Sequence, residues 1–374
     1  MTSSPESSVG NVPFDMTGKI MSVKGPIDPK QVGITLMHEH LFIDLRLSDN
    51  LDINIPATEA ALWNQPLTLE NLHSAREKIP IADNEIFADE EMIANEVVEF
   101  RDSGGNTIVE VTSIGIRRDP RAMLKLSNTT GLNVIMGSGW YEKQFHPDDM
   151  DTRTVEDLTQ EIIRDLTVGV LDTNIRSGII GEVGIEGQPI EPNEVKSIRA
   201  SARASRVTGA PISFHRGGVG WEKLETIGIL GEEGVDFSRV IFGHSDPIAG
   251  DMPLMLELLS HGVYIQFDLL GRLTVPMKWK AENDSFSEYY LSAGAAVVAD
   301  AIPKLIDAGY GDRILLSQDV CNKIHLKSYG GTGYSFIIDK FLPYLKTAGI
   351  SESQIDLIMR DNPRRILTFS KPQI

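Results

Sequence analysis

Six residues in this chain have the types and placement to hold metal ions: His38, His40, Glu182, His215, His244 and Asp319. Each sits at or near the end of a short apolar run. The sharpest pair lies in GITLMHEHLFIDL, where His38 and His40 are two apart in an apolar, β-branched stretch. On a strand, residues i and i+2 face the same side, so both imidazoles can reach one ion, while Glu39 points the other way, towards packing or a supporting contact. A lone H-x-H equally fits two hydrogen-bonded polar residues at a strand end. The others recur in register with apolar runs: Glu182 in SGIIGEVGIE, His215 in PISFHRG, His244 in RVIFGHSD and Asp319 in RILLSQDV. Four of the eight histidines fall at such positions. Taken singly, each fits a satisfied core residue; taken together, they have the layout of a two-metal hydrolase.

The elements that must position these residues follow from periodicity. Strand candidates are 33–42, 106–113, 132–139, 178–185, 211–216, 239–244, 263–269 and 313–319, separated by stretches of helical spacing. In ADEEMIANEVVEFRDSGG, Ile93, Val97 and Phe100 share a face, Asp89 is the expected N-cap, and Gly104 ends the helix. Asp119-Pro120 opens the next helix and Gly131 closes it. Eight alternations favour one closed parallel (β/α)8 barrel, of TIM type, over an open doubly wound sheet. No G-x-G-x-x-G follows the first strand, which argues against a dinucleotide fold. In a barrel the C-terminal strand ends converge on one mouth, so ligands far apart in sequence become neighbours.

A chain of 374 residues fills one such barrel. The expected division is a mobile Ser/Pro-rich tail over 1–16 and a single hydrolase domain over 17–370. The net charge of -18 opposes binding to nucleic acid or an anionic membrane, and no apolar run reaches bilayer-spanning length. Cys321 is the only cysteine, which excludes an intrachain disulfide and suits a reducing, cytoplasmic setting. The segment 46–88 is a long loop of the kind that covers or shapes an active site.

Pocket-wall candidates are Trp140 and Tyr141 after the third strand, Arg216, Trp221, and Asp268 with Arg272 around the seventh. Trp140 and Tyr141 either line an apolar slot or plug the barrel rim. Arg272 either binds an anionic substrate group or pairs with Asp268 or another surface acid, the pairing being favoured. Lys323, His325 and Lys327 read as a solvated loop face, with an anionic substrate tail as the alternative. His73, His146 and His261 read as surface residues, and Cys321 as a small buried one.

From about residue 17 to 370 the chain resembles the phosphotriesterase-like branch of the amidohydrolase superfamily. The residues that carry the resemblance are MHEHLF, NEVVEFRDSGGNTIVEVTS, GSGWY, GEVG, FHRG, GHSD, QFDLLG, SQDV and YGGTGYSFI. The resemblance implies a binuclear centre in a (β/α)8 barrel. His38, His40 and Asp319 would hold the more buried ion, His215 and His244 the more exposed one, and the fourth-strand residue would bridge them. Many relatives bridge with a carboxylated lysine; this chain places Glu182 there, and the shorter side chain requires a closer approach of strand and metals. Gly181 and Gly184 suit that approach.

The expected chemistry is attack by a metal-bridging hydroxide, with Asp319 taking its proton. Zinc is the default ion, and manganese, cobalt or iron fit the same ligands. The expected substrate is a lactone or other ester, with phosphotriesterase activity open; an amide of the N-acyl amino acid type is the alternative. A non-catalytic, receptor-like metal-binding barrel is the alternative of another class, and a homodimer is left open.

Overall fold

The computed structural model describes residues 15–46, 61–185, 189–215, 220, 222–274, 276–279, 288–291 and 294–373. The expected tail falls almost wholly outside the described residues, as do Arg216 and Trp221.

Eight parallel strands form the barrel: β1 (Ile34–Glu39), β2 (Gly105–Glu110), β3 (Asn133–Met136), β4 (Ile180–Val183), β5 (Ile212–Phe214), β6 (Val240–Phe242), β7 (Tyr264–Phe267) and β8 (Ile314–Leu316). Seven lie within their expected segments, and β2 begins one residue before the expected 106–113. Regular pairing joins β1 to β3 and β4 to β8. Isolated backbone hydrogen bonds span the two seams. Gly178 N–H donates to Met136 O at 2.9 Å between β4 and β3, and Asp319 N–H donates to His38 O at 3.2 Å between β8 and β1.

The strands read as continuous apolar runs because both of their faces are covered. Met37, Val109, Ile135, Ile241, Tyr264 and Leu315 pack together in one cluster, as side chains filling a small barrel must. The larger cluster, with Leu36, Ile108, Val134, Phe214 and Phe242, lies between strands and helices.

The helices follow the strands in turn: α1 (Glu90–Asp102), α2 (Pro120–Thr130), α3 (Val155–Thr167), α4 (Pro192–Thr208), α5 (Glu222–Glu232), α6 (Met252–Ser260), α7 (Ala295–Asp307) and α8 (Leu342–Thr347). Asp89 caps α1 by accepting from Glu91 and Met92 N–H, and Ile93, Val97 and Phe100 are its buried face. Asp119 caps α2, Pro120 is its first residue, and Gly131 closes it in the left-handed conformation at φ 80°. In α3, Leu158, Ile162 and Leu166 recur every four residues and are fully buried. Removing one such side chain would cost about 2–5 kcal/mol.

Two antiparallel ribbons lie outside the barrel, Ile20–Ser22 with Gly25–Ile27, and Pro276–Trp279 with Glu288–Leu291 in the loop after β7. At the bottom of the barrel residues 18–19 pair with Phe369. Gly18 N–H donates to Phe369 O at 3.0 Å, and Phe369 N–H to Lys19 O at 2.9 Å.

Candidate metal centre

The six sequence candidates meet at the C-terminal mouth. Regular pairing of β1 stops at Glu39 with an irregularity after Leu36, so His40 is the first residue of the following loop. The rings of His38 and His40 lie 5.5 Å apart and T-shaped. Strand β4 delivers Glu182, His215 follows β5, His244 follows β6 by two residues, and Asp319 follows β8 by three. His244 and Asp319 are bent into the left-handed region, at φ 44° and 49°. A side chain other than glycine held there is strained, as residues positioned for function often are.

Glu182 sits centrally. Its Oε2 is 2.6 Å from His215 Nδ1 and 3.2 Å from His38 Nε2, while Oε1 is 3.3 Å from His40 Nε2. Asp319 Oδ1 is 3.2 Å from His40 Nε2, and Oδ2 is 3.8 Å from His244 Nε2. Both carboxylates therefore touch both ends of the cluster. The backbone of β4 packs tightly against its neighbours at both glycines. A Cβ on Gly181 would stand 2.3 Å from Ser213 O, and one on Gly184 would stand 2.2 Å from Glu142 N.

Each histidine is held from behind, which fixes the nitrogen it presents to the cluster. His40 Nδ1 is 2.9 Å from Thr112 Oγ1, whose hydroxyl donates to Glu110 at 2.5 Å. His244 Nδ1 is 2.6 Å from Asp268 Oδ1, and His38 Nδ1 is 3.2 Å from Asp268 Oδ2. His215 Nε2 is 3.0 Å from Glu142 Oε1 and 3.3 Å from Tyr141 Oη. Glu39 turns away, accepting from Ser317 Oγ at 2.7 Å and from the N–H groups of Gln318 and Val320 at 2.8 and 2.9 Å. It thereby ties β1 to β8.

The electrostatics fit cations. Burial alone would lower the imidazole pKa of His40 and His215, yet the surrounding carboxylates push both up to about 9. His38 is raised well above its ordinary value by Glu182 and Asp268 against the same burial. His244 moves the other way, lowered by burial with His215 beside it. Burial would raise Asp319, but Arg272 and then His40 hold it below the usual carboxylate range. The site draws positive charge, which protons or divalent ions can supply. Both ring nitrogens of the fully buried His38 have a carboxylate oxygen at 3.2 Å, from Glu182 and Asp268, but neither contact has hydrogen-bond geometry. The donors group into triads, His38–His40–Asp319, Glu182–His215–His244 and His38–His244–Asp268, with the ligand atoms of each within 4.8 Å of one another. Clustered imidazoles and carboxylates, with His38 nitrogens left without well-formed hydrogen bonds, suit a divalent metal.

Other expectations need correction. Asp268 is not a pocket wall but the carboxylate beneath two histidines, and it is not the partner of Arg272. Arg272 instead donates to both the carboxylate and the carbonyl of Asp319, and reaches Cys321 Sγ at 3.2 Å. Trp140 is completely buried in the larger core cluster beneath the Arg153 guanidinium, so it plugs the rim. Tyr141 is also buried, with its hydroxyl towards His215. His325 is no solvated loop residue, since its Nδ1 accepts from Cys321 and Asn322 N–H at 3.4 and 3.3 Å. Lys323 pairs with Asp83 at 2.5 Å and Lys327 with Glu99. His146 is half-buried and bonds Tyr141 O at 2.9 Å. His73 is exposed, His261 ends α6 on the surface, and Cys321 is buried as expected.

Sequence reasoning missed Glu142, Thr112 and Glu110, which support ligands without any motif of their own. Glu110 ends β2, Thr112 follows it by two residues and Glu142 follows β3 by six, so position near a strand end was the available signal only for the first two.

The profile of the phosphotriesterase family matches residues 18–367. An N-acetyltaurine hydrolase of Dictyostelium discoideum is 36% identical over 378 aligned residues, covering 95% of this chain and 99% of that protein. A solved resiniferatoxin-binding protein from Rhodobacter sphaeroides superposes with a TM-score of 0.86 at 33% identity, over 94% of this chain and 95% of that one. A lactonase from Listeria monocytogenes gives 0.74 at 26% identity, over 94% of this chain and 100% of the other. Among the described residues no helix is long and apolar enough to cross a membrane. With the family profile spanning nearly its whole length and a mouth lined by metal-type donors, the chain belongs to the phosphotriesterase family of metal-dependent hydrolases.

Proposed function

We propose that His38, His40, Glu182, His215, His244 and Asp319 hold two divalent ions, zinc being the default, and that the chain hydrolyses an acyl bond in a small molecule. An amide of the N-acyl amino acid type is the favoured substrate. The observation that carries this choice is the near full-length, 36% identity to a relative named for N-acetyltaurine hydrolysis. A lactone is the second reading, supported by the 26% identical Listeria lactonase.

When bound, the ions would supply Lewis acidity to a water and to the scissile carbonyl oxygen. Asp319 accepts the proton of that water and returns it to the leaving amine or alcohol. Arg272, donating to the same carboxylate, fixes its orientation and keeps it ionised until then. Asp268, Thr112 and Glu142 hold the histidine rings so that the cluster does not reorganise during the reaction. No serine or cysteine nucleophile is needed.

The test is a screen of metal-loaded protein against N-acyl amino acids, N-acyl aminosulfonates, lactones and phosphotriesters. Turnover of the amides above the lactones is expected. Phosphotriester turnover without acyl turnover overturns the proposal.

A further inference from the structure

Beside the metal cluster, across Arg272, opens a cavity of about 360 Å³ lined by Arg76, Lys78, Arg272 and His325 together with Leu269, Leu273 and Ile324. That volume is within the range of small-molecule sites. The chain carries 53 acidic and 35 basic residues, yet no aspartate or glutamate lines this cavity.

Lys78 is held at φ 66°, a strained conformation for a lysine, at the end of the long loop after β1. Part of its surface is open to solvent, and no carboxylate among the described residues pairs with its ammonium. Crowding lowers its pKa, burial first and the neighbouring Arg272 charge second. Arg272 carries one hand on Asp319 and lines the cavity as well. His325 stays neutral, pushed well below its ordinary pKa by burial and then by Arg272 and Lys78. Because its Nδ1 accepts two backbone N–H groups, its proton lies on Nε2, a further donor. Three cationic side chains and a neutral donor gather around one space, and among the described residues only Arg272 has a carboxylate partner, which leaves counter-charge missing.

We infer that Lys78, Arg272 and His325 form the subsite for an acidic group on the substrate, so that the substrate is an acyl compound whose leaving portion ends in a sulfonate or carboxylate. Leu269, Leu273 and Ile324 line the same cavity and suit the short apolar tether between that group and the scissile bond. Lys78 is a specificity residue in this scheme and takes no part in proton transfer. The inference rests on the acyl-hydrolase reading of the metal centre.

The experiment has two arms on the metal-loaded enzyme. Calorimetry with ethanesulfonate and with propionate reads the subsite without turnover; binding that weakens about tenfold or more in Lys78→Met, and recovers in Lys78→Arg, is expected from the loss of one charge-assisted contact. Kinetics on N-acetyltaurine, N-acetyl-β-alanine and uncharged N-propylacetamide reads the reaction. The kcat/KM ratio of anionic over neutral substrate is expected to fall by about the same factor in Lys78→Met, chiefly through KM. The two anions differ in which acid is preferred, sulfonate or carboxylate, and either preference fits. Anion binding indifferent to Lys78, or equal turnover of neutral and anionic amides by the wild type, overturns the subsite. Lys78-dependent binding of ethanesulfonate without hydrolysis of any acyl compound leaves the subsite standing and overturns the acyl-hydrolase reading instead.

Discussion

Asp268 grips His244 at both ends: its Oδ1 is 2.6 Å from the ring Nδ1, and both carboxylate oxygens are 3.1 Å from the His244 backbone N–H. The same carboxylate reaches His38 Nδ1 at 3.2 Å. One residue thus orients two rings on strands that are not neighbours. Asp268→Asn should fold yet lose metal affinity by about 10–100-fold, the usual cost of removing such a support. Competition against a chelator measures it, and unchanged affinity would contradict the orienting role.

Asp319→Asn tests the proton acceptor. An amide keeps the shape and can still ligate weakly, but it cannot take a proton. Turnover should drop by about 10²–10⁴-fold, with metal content measured in the same preparation. Near-native kcat in a fully loaded variant would move the base elsewhere.

The proposed bridging by Glu182 predicts indifference to carbon dioxide. A glutamate carries its charge as soon as the barrel folds, whereas a lysine must first be carboxylated. Apoprotein reconstituted with and without bicarbonate should recover equal activity at equal rates. A bicarbonate requirement would assign the bridge to a lysine.

Asp246 gives a pH signature. Burial, with Asp268 beside it, pushes its carboxyl from 3.8 up to about 8. The folded state therefore binds an extra proton across that window, so this contribution is fully present below the unfolded pKa and is lost as pH rises towards 8. Relative to Asp246→Asn, the wild type should lose up to about 1.4 kcal/mol of unfolding free energy per pH unit between the two values. Urea unfolding of both proteins at several pH values reads the difference; parallel profiles would mean that Asp246 is ionised in the fold.

Gly184→Ala separates packing from conformation. No left-handed backbone requires glycine at 184, but an added Cβ would stand 2.2 Å from Tyr141 C and Glu142 N, both backbone atoms. We expect roughly 1–3 kcal/mol of destabilisation and weaker metal retention, since Glu142 would shift off His215. Thermal unfolding and metal analysis together check it.

Much of this was legible in the chain. His38 and His40 stood out because strand periodicity forces i and i+2 to one side, and Glu182, His215, His244 and Asp319 because each ends an apolar run. What stayed hidden depends on which loops meet above the barrel. Arg272 and Asp319 are 47 residues apart, and nothing local says that they bond. Lys78 has no motif at all; its meaning comes from Arg272 and His325 being placed around it by other loops. Trp140 was balanced between slot and plug because an indole suits both, and only its complete burial decides.

The hydrogen bonds that pair Gly18 and Lys19 with Phe369 lie at the N-terminal ends of the strands, opposite the metal cluster. Residues 18–19 and 369 thus lie on the face away from the donor cluster. A circular permutant in which a short linker joins Asp15 to Ser370 needs no rerouting of any strand, because the backbone beside that join is already hydrogen-bonded together.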